Sequence, residues 1–473
     1  MTLGITPVTI RIANGAGFLG DDIDAPRRLV ESVDVDYLTL EYLAELTMSI
    51  LARARQKDPQ VGYAKDFLDV TSSLLPALRS QELLRIVTNA GGINPLGCAR
   101  SVARRLVDAG LPGFPVAAVT GDDLLGQLVE LRQHGCRFAN LETGQPLTEL
   151  SDPIVAANAY LGAQPIVESL GLGARVVITG RVADASLTVG PAVHEFDWDT
   201  TDWDRLSAAT VAGHLIECGA QVTGGYSQRW RDHDPRDVGY PIAELAASGE
   251  AVITKPAGTG GIVDRQSVVE QLLYEIGDPR HYLTPDVVAD FASVKVESVG
   301  PDRVRVHGAT GTAAPDDYKV SLAYQAGYTA SSQLLVYGAD CVEKSQHCGE
   351  IVRHRLERAG YRLEAFEVEL LGLGDSVPGL PHSDADALPR EIIVRISVRD
   401  RNREAVARYA KELAPLVTSG PSGLAGYAVG RADVRPVFAY WPTLVPKSLI
   451  QPVVRVQPAD QWLQEAVREG EVP

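Results

Sequence analysis

Six short apolar runs in the first half of the chain lead into polar or charged residues. "VTIRIA" ends at Asn14, with Asp21 and Asp22 close behind. "VDYLTL" ends at Glu41, "LRIVT" meets Asn89 and then Asn94, and "FPVAAVT" runs to Asp122. "FANLE" closes on Glu142, and "ARVVIT" leads to Arg181 and Asp184. Carboxylates whose surroundings push their pKa values apart can share acid and base work. In that scheme Glu41 is the general base, with Asp22 or Glu142 as the partner acid. Asn14, Asn89 and Asn94 offer neutral hydrogen bonds to carbonyl or phosphate oxygens. Arg181 has the fork to clamp a carboxylate, with Asp184 beside it; a structural ion pair is the competing reading. Asp122 and Asp184 also suit helix caps. Glutamate is not a favoured cap, which makes Glu41 the sharpest candidate.

The turn "NAGGINP", residues 89–95, puts Gly91 and Gly92 before a helix that opens at Pro95. Backbone N–H groups at such a helix start can hold an anion, and a tight connection is the plain alternative. No Lys-Ser/Thr follows and GxGxxG is not matched, so this is neither a P-loop nor a dinucleotide fingerprint. "NGAGFLG" is a looser loop of the same kind, and "PAGTGG" a weaker third. "GHLIECG" sets His214 and Glu217 three residues apart, on one helix face, with Cys218 adjoining. Such a pair can orient a general acid or base, although a satisfied core histidine is the commoner outcome. His-Glu-x-x-His and Gly-x-Ser-x-Gly are both missing from the sequence, so a dedicated zinc site and that type of hydrolase have no support. No cofactor is required by these residues. If magnesium is used, Asp21, Asp22 and Glu142 are its candidate oxygen ligands.

The elements that would carry these residues alternate. Over residues 8–220, β-rich apolar runs are each followed by a helical pattern. This implies βα units around a largely parallel sheet, with helices on both faces as right-handed crossovers require. In such sheets ligands bind beyond the carboxyl ends of the strands. Residues 222–240 read as a long aromatic and charged connection, followed by a strand, a glycine turn and a helix. From about 291 strands dominate, with two long helices among them. The expected architecture is a parallel-sheet three-layer α/β domain over 1–290 and a smaller α+β domain over 291–473.

Composition sets outer limits. The 473 residues are too many for one ordinary core, and 45% hydrophobic with 22% charged is a normal globular balance. A net charge of −17 argues against nucleic acid and anionic membrane surfaces as partners. No run approaches a membrane span, and the amino-terminal residues lack the pattern of a signal peptide. Five scattered cysteines without CxxC spacing suit a reducing cytoplasm. Size and acidity suggest a homodimer or higher homo-oligomer.

The stretches "RIANGAGFLGDD", "VDYLTLEYLAELTMSIL", "NAGGINP", "ITGRVADASLTVGPAVHEF" and "GHLIECGAQVTGGYS", in this order, resemble the acyclic terpene utilisation AtuA family. The resemblance is dense over residues 8–228 and looser beyond. It implies a catabolic setting in which branched isoprenoid acids are handled as CoA thioesters, and it assigns no catalytic residue. Taken with the rim residues, it leads to the expectation of a lyase acting on a branched carboxylate or acyl-CoA, by hydration/dehydration or carbon–carbon cleavage. The alternatives are a non-catalytic acyl-CoA or metabolite-binding subunit, and a CoA-transferase working through a glutamate thioester.

Overall fold

A computed structural model gives the fold and describes residues 9–377, 389–426 and 430–468. The chain divides into two compact units, Met1–Ala323 with Tyr440–Pro473, and Tyr324–Ala439.

The first unit is built on β1 (Thr9–Asn14), β2 (Tyr37–Leu40), β3 (Arg85–Thr88), β4 (Pro115–Thr120) and β6 (Val176–Thr179). These five pair in parallel in the order β1-β2-β3-β6-β4. Every residue of β2, "YLTL", and of β6, "VVIT", is buried. Such unbroken burial is what strands covered on both faces show, and it explains why these runs lack alternation. β5 (Ile154–Ala159) lies outside this sheet and pairs with the long strand Asp317–Tyr337. Antiparallel strands finish both sides. β7 (Ile242–Ala246) pairs with β1 and β8 (Ala251–Thr254) with β7, followed by Arg303–His307 and Lys295–Gly300. On the far side Val453–Pro458 pairs with β4.

Two expectations change here. "FANLE" is not a strand: Asn140 accepts the N–H groups of Glu142 and Thr143 through its side chain, and that turn stops extension. The texture change at 291 is not a boundary between compact units. The strands just after it extend the large sheet, and the chain returns to that sheet near its carboxyl end.

In the second unit, Glu391–Asp400 pairs antiparallel with Ala365–Leu371 and with the later part of Asp317–Tyr337. Glu391–Asp400 largely alternates buried with more exposed positions, the pattern of a sheet with one apolar face. Cys341, Cys348, Val352 and Leu356 of the Cys341–Arg358 helix, with Val406 and Tyr409 of Arg403–Tyr409, fill the core on that face.

Candidate active site

β2, β3, β6 and β4 are neighbours, so the residues just beyond their carboxyl ends meet. Glu41 follows β2, Asn89 follows β3, Arg181 follows β6 and Asp122 follows β4. The side chains of Glu41 and Arg181 are only 5% and 3% exposed.

Glu41 Oε1 accepts a bond from Asn89 Nδ2 and another, at 2.8 Å, from the Leu43 N–H. Asn89 Oδ1 accepts the Tyr42 N–H at 2.8 Å, so the amide is fixed on both sides. Glu41 Oε2 is buried and has no hydrogen-bond partner. Arg181 Nη1 donates to Asp184 Oδ1 at 2.8 Å and to the Leu43 carbonyl at 3.1 Å, and lies 4.0 Å from Glu41 Oε1. Its guanidinium stacks over the Tyr160 ring at 4.1 Å, a contact that favours a cation. Arg181 Nε is also buried and unpartnered. The cluster thus presents one unmet acid–base oxygen and one unmet donor, and native structures leave few such groups without a reason.

Burial, with Asp184 nearby, holds the Glu41 carboxyl well above the usual carboxylate range. Arg181 and Asn89 pull the other way and do not win. The geometry says why: Arg181 is 2.8 Å from Asp184 but 4.0 Å from Glu41, so Asp184 takes most of its charge. Burial opposes the Arg181 charge too, and Asp184, Tyr160 and Glu41 outweigh it. Ionisation of Glu41 is thus opposed by its burial even though a permanent cation lies 4.0 Å away.

Asp122 supports the cluster from behind. Its Oδ2 accepts the Arg181 N–H at 2.8 Å and Asn158 Nδ2 at 2.9 Å. Full burial pushes its carboxyl up to about 7. Instead of capping a helix, Asp122 fixes the backbone from which Arg181 projects. Asn158, Tyr160 and the Leu43 carbonyl carry no sequence signal, because none belongs to a recognisable motif.

The other expected residues are placed differently. Asn14 Nδ2 binds the carbonyls of Ile216 and Glu217, which ties β1 to the end of the Trp203–Glu217 helix. Asn94 caps the Pro95–Asp108 helix through Gly97 N–H at 3.0 Å, and its amide faces Val61 O at 3.1 Å. The N–H groups of Gly92, Ile93 and Asn94 bond to Asn89 O, Gly62 O and Gly91 O. Gly91 lies so close to the Thr179 carbonyl, and Gly92 at φ +54° so close to Leu51, that a side chain at either would collide. "NAGGINP" is accordingly a close-packed turn whose donors are largely spent, with Asn89 as its contribution to the cluster. Asp22 is a half-exposed partner of Arg28 at 2.6 Å, and Glu142 is exposed in its turn. Neither has a bond to Glu41 among the described residues. Asp21 accepts Gly17 N–H and Tyr240 OH. Among the described residues no group of three acidic, histidine or cysteine side chains is arranged to hold a metal ion, and Asp21, Asp22 and Glu142 do not assemble.

A cleft of about 690 Å³ opens at the opposite, amino ends of β1–β3, lined by Arg11, Asp36 and Leu84 among others. It offers no buried acid–base pair, and the carboxyl-end cluster is the better site on chemical grounds.

The family model for the acyclic terpene utilisation family protein AtuA matches residues 10–456. The chain belongs to this family. No curated protein and no solved structure matches it. Membership of the AtuA family suggests a catabolic role. Both halves of the Glu41–Arg181 pair lie inside the matched span. No helix among the described residues is long and apolar enough to cross a membrane.

Proposed function

We propose that this AtuA-family chain is an enzyme of acid–base chemistry that acts on a branched carboxylate or its CoA thioester, by hydration/dehydration or carbon–carbon cleavage. The observation that carries the reading is the buried Glu41, with an unpartnered Oε2, beside Arg181 with an unpartnered Nε. Arg181 is suited to the carboxylate or thioester oxygen of the substrate. Asp184, whose side chain is 37% exposed, can swing toward solvent when an anion takes its place. In this reading Glu41, whose carboxyl pKa is raised by burial, acts as the acid in one direction and as the base in the other. Raised glutamate pKa values of this kind suit proton transfer near neutrality. A carboxyl whose ionisation is opposed by burial is a weaker nucleophile, which disfavours the CoA-transferase reading.

The test is a thermal-shift panel with CoA, 3-methylcrotonyl-CoA, 3-hydroxyisovaleryl-CoA and free branched acids, followed by mass analysis for products. A substance that binds only the folded state raises the melting temperature. The expected result is a shift for wild type that is lost in Arg181→Met, with turnover of a shifting compound. A shift without turnover would favour the binding-subunit reading, and no shift with any compound would overturn both.

A further inference from the structure

His214 and Glu217 lie on one face of the Trp203–Glu217 helix and make a second buried pair. His214 Nε2 faces the Gln271 carbonyl at 2.9 Å, and Nδ1 faces Glu217 Oε1 at 3.1 Å. A carbonyl only accepts, so Nε2 carries a hydrogen in every state of this arrangement. The bond between Nδ1 and Oε1 then needs one more proton, held by either partner. The pair is imidazolium with carboxylate, or neutral imidazole with carboxylic acid. Glu217 Oε2 is buried without a partner, the same feature that marks Glu41.

This pair adjoins the first cluster. Gly213, one turn before Glu217, packs directly on Ala185, the neighbour of Asp184. Asn14, at the end of β1, holds the Glu217 carbonyl at 2.9 Å, and Asn14 pairs in register with Thr39 of β2, two residues before Glu41. Asp184 is felt electrostatically at both glutamates. The groups facing the pair are Asp184, Glu275, Cys218 and Tyr282, with Tyr282 and Phe291 rings against His214.

We propose that Glu217, positioned by His214, is the second proton-transfer group of the Glu41–Arg181 site. This rests on the enzymatic reading above and deepens it. In the dehydration direction, with the pair as imidazolium and carboxylate, Oε2 of Glu217 takes the proton from the carbon next to the carbonyl, and Oε2 of Glu41 gives its proton to the departing hydroxyl. The carbon–oxygen bond breaks, the double bond forms and water leaves. Hydration is the reverse. Burial and Asp184 raise the Glu217 carboxyl, and Glu217 raises His214 against its own burial.

The experiment is ¹⁵N NMR of histidine-labelled protein from pH 5 to 9, for wild type, Glu217→Gln and Asp184→Asn, with turnover of 3-hydroxyisovaleryl-CoA or 3-methylcrotonyl-CoA measured alongside. The expected spectrum keeps a hydrogen on His214 Nε2 throughout, and both substitutions move the His214 titration. Glu217→Gln lowers turnover by about 10²–10⁴-fold while leaving the ligand-induced melting shift in place. A His214 titration unmoved by Asp184→Asn would overturn the link between the pairs even if Glu217→Gln failed to fold. Wild type without turnover but with coupled titration would count against the enzymatic reading and leave the shared-proton pair standing.

Discussion

Asp122→Asn gives the prediction with the clearest magnitude. Burial moves this carboxyl from its ordinary value of 3.8 up to about 7. Between those values the folded protein holds a proton that the unfolded chain has lost. The contribution of Asp122 to wild-type stability therefore falls as pH rises from 4 to 7 and levels off above. At about 1.36 kcal/mol per tenfold change, the full fall is roughly 4 kcal/mol, an upper figure for a carboxyl that can relax. Both bonds that Asp122 accepts end on Oδ2. An asparagine that turns its oxygen to that place keeps both and cannot ionise. The variant should match wild type near pH 4 and exceed it increasingly to pH 7.5. All five tryptophans lie in the first compact unit, so their fluorescence during thermal melts reports that unit. A gap of several degrees at pH 7.5 that closes at pH 4 is the expected outcome. Parallel curves from pH 4 to 8 would refute the claim that Asp122 is protonated in the fold at mildly acid pH.

Other substitutions separate site from scaffold. Arg181→Lys should lose most ligand-induced stabilisation, because an ammonium lacks the unpartnered Nε donor and the planar stack on Tyr160; calorimetric titration checks this. Asn94→Ala removes a cap and should cost about 1 kcal/mol in a urea melt without changing ligand affinity, since Asn94 is bound to Gly97 and Val61 rather than to the cluster. Glu142→Ala, on an exposed turn, should leave both melting temperature and turnover unchanged, and a large loss of turnover would restore it to the site.

Much of the cluster was legible because a parallel sheet sends its strand ends to one rim. Glu41, Asn89 and Arg181 were found that way, and all follow strands that are neighbours in the sheet. Asp22 and Glu142 were not separable from them by sequence. Asp22 lies several residues past β1, where the loop closes on Asp21. Glu142 seemed to end a strand because "FANL" is apolar, yet a single Asx turn at Asn140 decides that segment. Strand order was unreadable: β6 inserts between β3 and β4, and only this brings Arg181 between Asn89 and Asp122. Hydrogen bonding, rather than residue type, separates Asn89, which faces Glu41, from Asn94, which caps a helix. The return of Val453–Pro458 to β4 is a long-range pairing that no local pattern announces.

The most direct measurement of the central claim is turnover by Glu41→Gln. The replacement keeps an oxygen to accept from Asn89 and Leu43 but has no proton to transfer. Measured against a compound that stabilises the wild type, it should retain the melting shift and lose about 10²–10⁴-fold in rate. A variant that turns over at the wild-type rate would contradict the assignment of Glu41 as the acid–base group.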